Sequence, residues 1–192
     1  MTACTNCGVD VEAGRGFLIP SKTKRAPALH VCSECADKMD AAVEEETQDP
    51  KLPLALLLGL LAAIVAAVAW YAMVVISKYE LGILAIGMGW LVATAVMLGA
   101  GRKRGRALQA LAVVITVLAL LFSEYLIVRH FMVQSAAEEG YGGYPILFPP
   151  DIMLQFIVIG LKASPVSLLF WALALWNAFF LPAKRTVRKV PI

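Results

Sequence analysis

The sequence predicts an α-helical membrane protein of four transmembrane helices, headed by a small cysteine-bearing domain. Three observations carry that expectation. Of the 192 residues, 60% are hydrophobic and the mean hydropathy is +0.75, against roughly 45–50% apolar in soluble globular domains. The apolar residues are unevenly spread: residues 1–51 are polar and charged, and long apolar runs begin at Leu52. All four cysteines fall in the first 35 residues, as two C-x-x-C pairs. The composition changes near Asp49, Pro50 and Lys51, which divides an N-terminal domain, residues 1–48, from a membrane domain, residues 49–192.

A helix needs about 20 apolar residues to cross a hydrocarbon core. Residues 52–76, 81–100 and 107–131 meet that requirement, the third ending raggedly at Arg129 and His130. Residues 152–181 are too long for one untilted span and are interrupted by Gly160, Lys162, Ser164 and Pro165. The fourth span is therefore expected over 165–181. Residues 152–161 are expected as an interfacial or re-entrant helix, or as a kinked extension of that span. Residues 1–16 lack the apolar core of a signal peptide, so the first span is expected to act as an internal anchor.

Orientation follows from the cations, because short cytoplasmic loops retain Lys and Arg. Arg102, Lys103, Arg104 and Arg106 crowd one loop, and Lys184, Arg185, Arg188 and Lys189 crowd the tail. Between them, Arg129 and Lys162 are set against Glu138, Glu139 and Asp151. Four crossings reconcile these positions, with both termini cytoplasmic in a cell (inner or plasma) membrane. A net charge of +3 offers only a weak electrostatic footprint for nucleic acid.

The cysteines stand as Cys4-Thr5-Asn6-Cys7-Gly8 and Cys32-Ser33-Glu34-Cys35. Two residues between thiolates let a tight turn aim both sulfurs at one ion, and two such turns complete a tetrahedron around Zn(II). Gly8 suits such a turn. Disulfides are the main alternative, and a cytoplasmic location disfavours them; iron is a lesser competitor, because the second pair lacks a following glycine. Four cysteines leave no open position for chemistry, so Cys4, Cys7, Cys32 and Cys35 are expected to hold a structural Zn2+. His30 is read as a packed strand residue, with ligation the weaker reading.

Between the pairs, Gly16-Phe17-Leu18-Ile19 and Ala28-Leu29-His30-Val31 are strand candidates joined by a basic turn carrying Lys22, Lys24 and Arg25. Residues 36–44 have helical character. Knuckle, hairpin, then a knuckle opening a helix resembles the treble-clef and zinc-ribbon families.

Within the spans, Glu124 is a carboxylate well inside an apolar run, a position that by default suggests function. It is expected to pair or snorkel at the outer interface, where Lys78, Glu80, Arg129, His130 and Lys162 also fall. Gly59, Ala63 and Ala67 in span one, and Gly82, Ala85, Gly87, Gly89 and Ala93 in span two, allow close helix approach, within a bundle or between protomers. The Gly140-Tyr141-Gly142-Gly143-Tyr144-Pro145 stretch has a passing likeness to a potassium filter. No Thr-Val run or pore helix precedes it, so it reads as a glycine-rich turn with interfacial tyrosines.

Lys78-Tyr79-Glu80-Leu81-Gly82-Ile83-Leu84-Ala85-Ile86-Gly87-Met88-Gly89-Trp90-Leu91-Val92, followed by the basic loop and Leu108-Gln109-Ala110-Leu111-Ala112-Val113, resembles a group of bacterial multi-pass membrane proteins. Members of that group often carry an N-terminal zinc finger and have no settled activity, so the resemblance implies architecture. The sequence holds no phosphate-cradling loop, nucleophile elbow, metalloprotease helix or paired catalytic carboxylates, and no enzymatic activity is expected. The leading expectation is a membrane-embedded scaffold whose finger docks a cytoplasmic protein. A small transporter or channel using Glu124 and the glycines of span two is the alternative, and a zinc or redox sensor the second.

Overall fold

The computed structural model describes residues 2–11, 16–20, 28–78, 82–138, 140, 155, 158, 165–184 and 190–191. The chain forms two compact units, one of Met1–Asp49 with Lys184–Ile192, the other of Pro50–Ala183.

In the first unit, β1 (Thr2–Ala3) pairs antiparallel with β2 (Asp10–Val11) around the first knuckle. β3 (Gly16–Ile19) and β4 (Leu29–Cys32) form the expected hairpin, in a register that sets Gly16 opposite Cys32 and Ile19 opposite Leu29. α1 (Ser33–Glu45) follows directly, with Cys32 as its N-cap and Glu34 and Lys38 paired at 2.7 Å on its exposed side. β5 (Val190–Pro191) lies antiparallel against the other edge of β3, giving the order β4-β3-β5. The expected N-terminal domain did not include this strand, because the tail reads only as a charged, cytoplasmic segment. Proline suits the edge it occupies, since it has no N–H to offer a further strand. The apolar core is small: Cys4, Val11, Val31, Cys35 and Ala36, flanked by Phe17, Ile19 and Met39. A core of this size normally needs a staple.

The second unit holds α2 (Leu52–Ser77), α3 (Ile83–Gly99), α4 (Arg106–Glu138) and α5 (Pro165–Phe180). α3 packs on the other three, and α4 packs on both α2 and α5. The helices alternate in direction. At one end Gly99 abuts the backbone of Leu54 and Ala55, and the Gly105 amide donates to the Pro182 carbonyl at 3.0 Å. At the other end Tyr71 bonds His130 and Gly82 lies under the Phe170 ring. The loop bearing Arg102–Arg104 and the start of the tail therefore leave the bundle at the same end.

Over the first two-thirds of α2, small residues are buried and large aliphatic residues face outward. Ala55, Gly59, Ala63 and Ala67 recur every fourth residue on the buried face of α2, while Leu57, Leu61, Ile64, Val65 and Val68 are exposed. Only 22% of the most apolar window of α2, and 39% of that of α4, is buried. Exposed apolar side chains in such number mark a surface that meets a membrane or another protein. Among the described helices α2 and α4 are long and apolar enough to cross a membrane, and α3 and α5 are shorter apolar helices. The buried hydroxyls are satisfied within their own helix, Thr116 by the Ala112 carbonyl at 2.7 Å and Ser123 by the Leu120 carbonyl at 2.8 Å.

α4 runs past the expected limit at residue 131. Its 33 residues span about 50 Å at 1.5 Å per residue, well beyond a hydrocarbon core of roughly 30 Å. Nothing between Arg129 and Glu138 breaks a helix, and the stop is Gly140, at φ +87°. The 152–161 segment lies outside the described residues except for Gln155 and Val158, which are helical and exposed. The glycine-tyrosine turn likewise falls outside them beyond Gly140.

Candidate metal centre

The knuckle of Cys4 to Gly8 closes through the Gly8 amide, which donates to the Cys4 carbonyl at 2.9 Å, and the Cys4 amide, which donates to Val9 at 2.8 Å. Gly8 sits at φ +76°, left-handed backbone that a residue with a Cβ adopts only under strain. The Thr5 amide and hydroxyl both donate to the His30 carbonyl, at 2.9 and 3.1 Å, which ties this knuckle to β4. β4 in turn delivers Cys32, and the first turn of α1 delivers Cys35.

The sulfurs of Cys4, Cys7, Cys32 and Cys35 all lie within 4.8 Å of one another, close enough to hold one metal ion. Cys7 and Cys32 are 3.7 Å apart. Among the donors aimed at the sulfurs, the Cys32 amide reaches Cys4 Sγ at 3.4 Å, and Asn6 Nδ2 reaches Cys35 Sγ at 3.6 Å. Cys4 and Cys35 are buried, Cys32 half-buried and Cys7 exposed.

Their acidities diverge. The Cys32 amide, with those of Cys7 and Asn6, holds the Cys4 thiol down at about 6. At Cys7 the Val9 amide pulls the same way, but the Cys4 sulfur, burial and the sulfurs of Cys32 and Cys35 outweigh it and push the thiol up to about 12. For Cys35 the Asn6 amide is likewise outweighed, chiefly by the Cys32 sulfur and by burial, and the thiol is raised. Crowded sulfurs cannot all be anionic without a cation among them. A divalent ion supplies that charge, and the donor set fits one.

His30 is not part of the cluster. Its ring is half-buried and Nδ1 is enclosed without a hydrogen-bond partner. Lys22, Lys24 and Arg25 lie outside the described residues.

The second unit places Glu124, half-buried, on a recess of about 130 Å3 shared with Trp70, Gly82, Ser167, Phe170 and Trp171. Arg129 and His130 line a different recess, with Tyr71 and Gln134, where Tyr71 Oη and His130 Nδ1 are 3.0 Å apart. Arg104 has a role that charge counting does not reveal: its Nη1 donates to the Leu181 carbonyl at 2.8 Å, beside Gln109 Nε2 donating to Phe179 at 2.9 Å, and together they cap α5. The glycines of α3 and its N-cap divide. Gly89 meets the Ala174 backbone, Gly82 meets Phe170, and Gly87 faces open space.

A scan against models of known protein families found no match, and searches of curated proteins and of solved structures found none either.

Proposed function

We propose that the chain is a four-span membrane protein whose N-terminal unit holds one structural Zn(II) and docks a cytoplasmic protein partner, with the helical unit as its anchor. The observation that carries this reading is the closed four-sulfur cluster in a small unit joined at both of its ends to a bundle with an apolar exterior. Zinc is compatible with the spacing of one sulfur pair. A Zn–S length of about 2.3 Å sets tetrahedral sulfurs about 3.8 Å apart, beside the observed 3.7 Å between Cys7 and Cys32. Knuckle, hairpin and a helix opening on the second cysteine pair follow the treble-clef or zinc-ribbon order.

Four crossings are supported by the alternating helices and by the shared exit of both connections at one end, which an even number of crossings requires. α3 and α5 are short for a bilayer; local thinning and flanking residues accommodate such lengths at modest cost. Cations clustered at that end support a cytoplasmic placement of both termini. The small-residue faces of α2 and α3 are largely occupied inside the bundle, so the partner is assigned to the N-terminal unit.

The test is purification of the detergent-extracted full chain, with zinc per chain and co-purifying proteins compared between wild type and Cys32→Ser. One zinc per wild-type chain, and partners lost together with the metal, support the reading. Partners retained by the metal-free variant would refute docking through the finger. A transporter or channel is a second reading, favoured by Glu124 on its recess; flux in reconstituted vesicles, abolished by Glu124→Gln, is what it requires. The sensor reading requires that the metal exchange, or the thiols oxidise, in the folded chain.

A further inference from the structure

We propose that the groove between the starts of α2 and α4 seats an acyl chain of an anionic phospholipid, whose phosphate is held by Lys51 and Arg106. The inference rests on the reading of the helical unit as membrane-spanning and is independent of any docking by the zinc unit.

α2 and α4 run in the same direction, and a groove of about 560 Å3 opens between their first turns. Leu52, Pro53 and Leu56 border it on α2, and Ala107, Ala110 and Val114 border it on α4. On α4 the spacings of three and four residues set these positions on one face. Leu52, Leu56 and Val114 are exposed. From Ala107 to Val114 the groove runs about 10 Å along α4 at 1.5 Å per residue. One leaflet of a hydrocarbon core of roughly 30 Å is about 15 Å deep, so the groove lies within a single leaflet. Its length and apolar lining fit the part of an acyl chain nearest the glycerol.

The mouth of the groove is cationic. Lys51 immediately precedes Leu52, and Arg106 immediately precedes Ala107, so a cation stands at the start of each helix. Both side chains are exposed, and neither forms an ion pair among the described residues. The first turns of α2 and α4 contain no acidic residue, and every ionisable residue in 50–56 and 99–111 is Lys or Arg. A lipid phosphate accepts hydrogen bonds from an ammonium and a guanidinium together, while its acyl chain continues into the groove. Basic pockets between helices at the cytoplasmic side bind anionic headgroups in this way.

Other occupants meet fewer of these demands. Free phosphate answers the cations and leaves the groove uncovered. A zwitterionic lipid brings an ammonium toward two cations. A second copy inserted in the same sense would meet this face with its own, setting like charges opposite each other.

The experiment titrates the detergent-purified full chain with phosphatidylglycerol or phosphatidylcholine of identical acyl chains and counts bound lipids by native mass spectrometry. The first phosphatidylglycerol is expected to bind about tenfold or more tightly than phosphatidylcholine. Lys51→Gln and Arg106→Gln should each weaken it by about fivefold, and Arg129→Gln, at the other end of the bundle, should leave it unchanged. Ala110→Trp, which fills the groove and keeps the cations, should weaken both lipids severalfold. Far-UV circular dichroism and size exclusion check that each variant is folded; should Ala110→Trp fail, the two charge variants decide. Equal binding of the two lipids, or a preference that survives Lys51→Gln and Arg106→Gln, would overturn the proposal. So would loss of a chain dimer in Ala110→Trp with lipid binding unchanged, which assigns the groove to a second copy. A chain that stays in solution without detergent refutes the membrane reading itself, whereas a detergent-dependent chain without the preference refutes the lipid site alone.

Discussion

Replacing Gly89 by alanine should loosen the helical unit, whereas the same change at Gly87, two residues away on the same helix, should not. A Cβ at Gly89 would press on the Ala174 carbonyl oxygen, with Ala174 C at 2.8 Å and Cα at 3.0 Å. Those atoms are backbone and cannot rotate aside, so α3 and α5 must separate along their contact. Overpacking of this kind costs about 1–3 kcal/mol. At Gly87 a Cβ meets nothing within 4 Å. Both substitutions gain the same helix propensity, about 0.5–1 kcal/mol, so this term cancels between them. The gap is then the overpacking cost, a factor of roughly 5 to 150 in the folded-to-unfolded ratio. Unfolding by sodium dodecyl sulfate in mixed micelles, followed by near-UV circular dichroism, measures it. Equal stabilities, or Gly87→Ala the weaker protein, would refute the assigned face of α3. Gly59→Ala should fall between them, because its Cβ meets Val96 Cγ2 at 2.7 Å and Ile115 Cδ1 at 2.8 Å, the movable ends of side chains.

Cys7→Ser and Cys32→Ser should each abolish stoichiometric metal and unfold the N-terminal unit while leaving membrane insertion intact; metal analysis and limited proteolysis read both, and full stoichiometry in either variant contradicts the four-cysteine site. Metal affinity should rise with pH, because the metal-free cluster holds protons that the metal-bound one does not. Near neutrality Cys7, at about 12, and Cys35, raised, are protonated, while Cys4, at about 6, is not. At least two protons should therefore be released per metal, with one more, from Cys4, as pH falls below about 6; an indicator-dye titration in weak buffer counts them, and release of fewer than two at pH 7 would contradict the geometry. Deleting residues 185–192 should remove β5 and raise amide hydrogen exchange in β3, at a cost of about 1–2 kcal/mol for the lost ladder; unchanged exchange at Phe17 and Leu18 would contradict the pairing. Arg104→Ala strips donors from the end of α5 and should destabilise the bundle by about 1–3 kcal/mol, read by the same detergent unfolding as the glycine series; a loss no larger than that of Arg102→Ala would mean that the cap contributes nothing.

The features legible in the sequence are those written in short spacings. C-x-x-C places two sulfurs on one turn, and alternation between turn residues sets the hairpin of β3 and β4, observed within a residue of its expected strands. Apolar runs locate α2, α3 and α5 to within a residue or two of their expected ends. α4 runs beyond its expected end, because a charged residue does not stop a helix, whereas Gly140 in the left-handed region does. These patterns have periods of a few residues, and the information they need lies within one segment.

What remained for the tertiary structure joins residues far apart in the chain. β5 offers two residues with no strand pattern of their own, and it becomes a strand because β3, more than 170 positions earlier, presents an unpaired edge. Gly87 and Gly89 are indistinguishable by composition, and only the position of α5 makes one a contact and the other open surface. Glu124 stands out in the sequence as a charge in an apolar run. Its setting among Trp70, Phe170 and Trp171 exists only once four helices bring those positions together. Composition and spacing thus determine which segments are apolar and how the cysteines are paired along the chain, because both are local chemistry. Which faces touch is decided by close packing, where the fit of each helix depends on all the others.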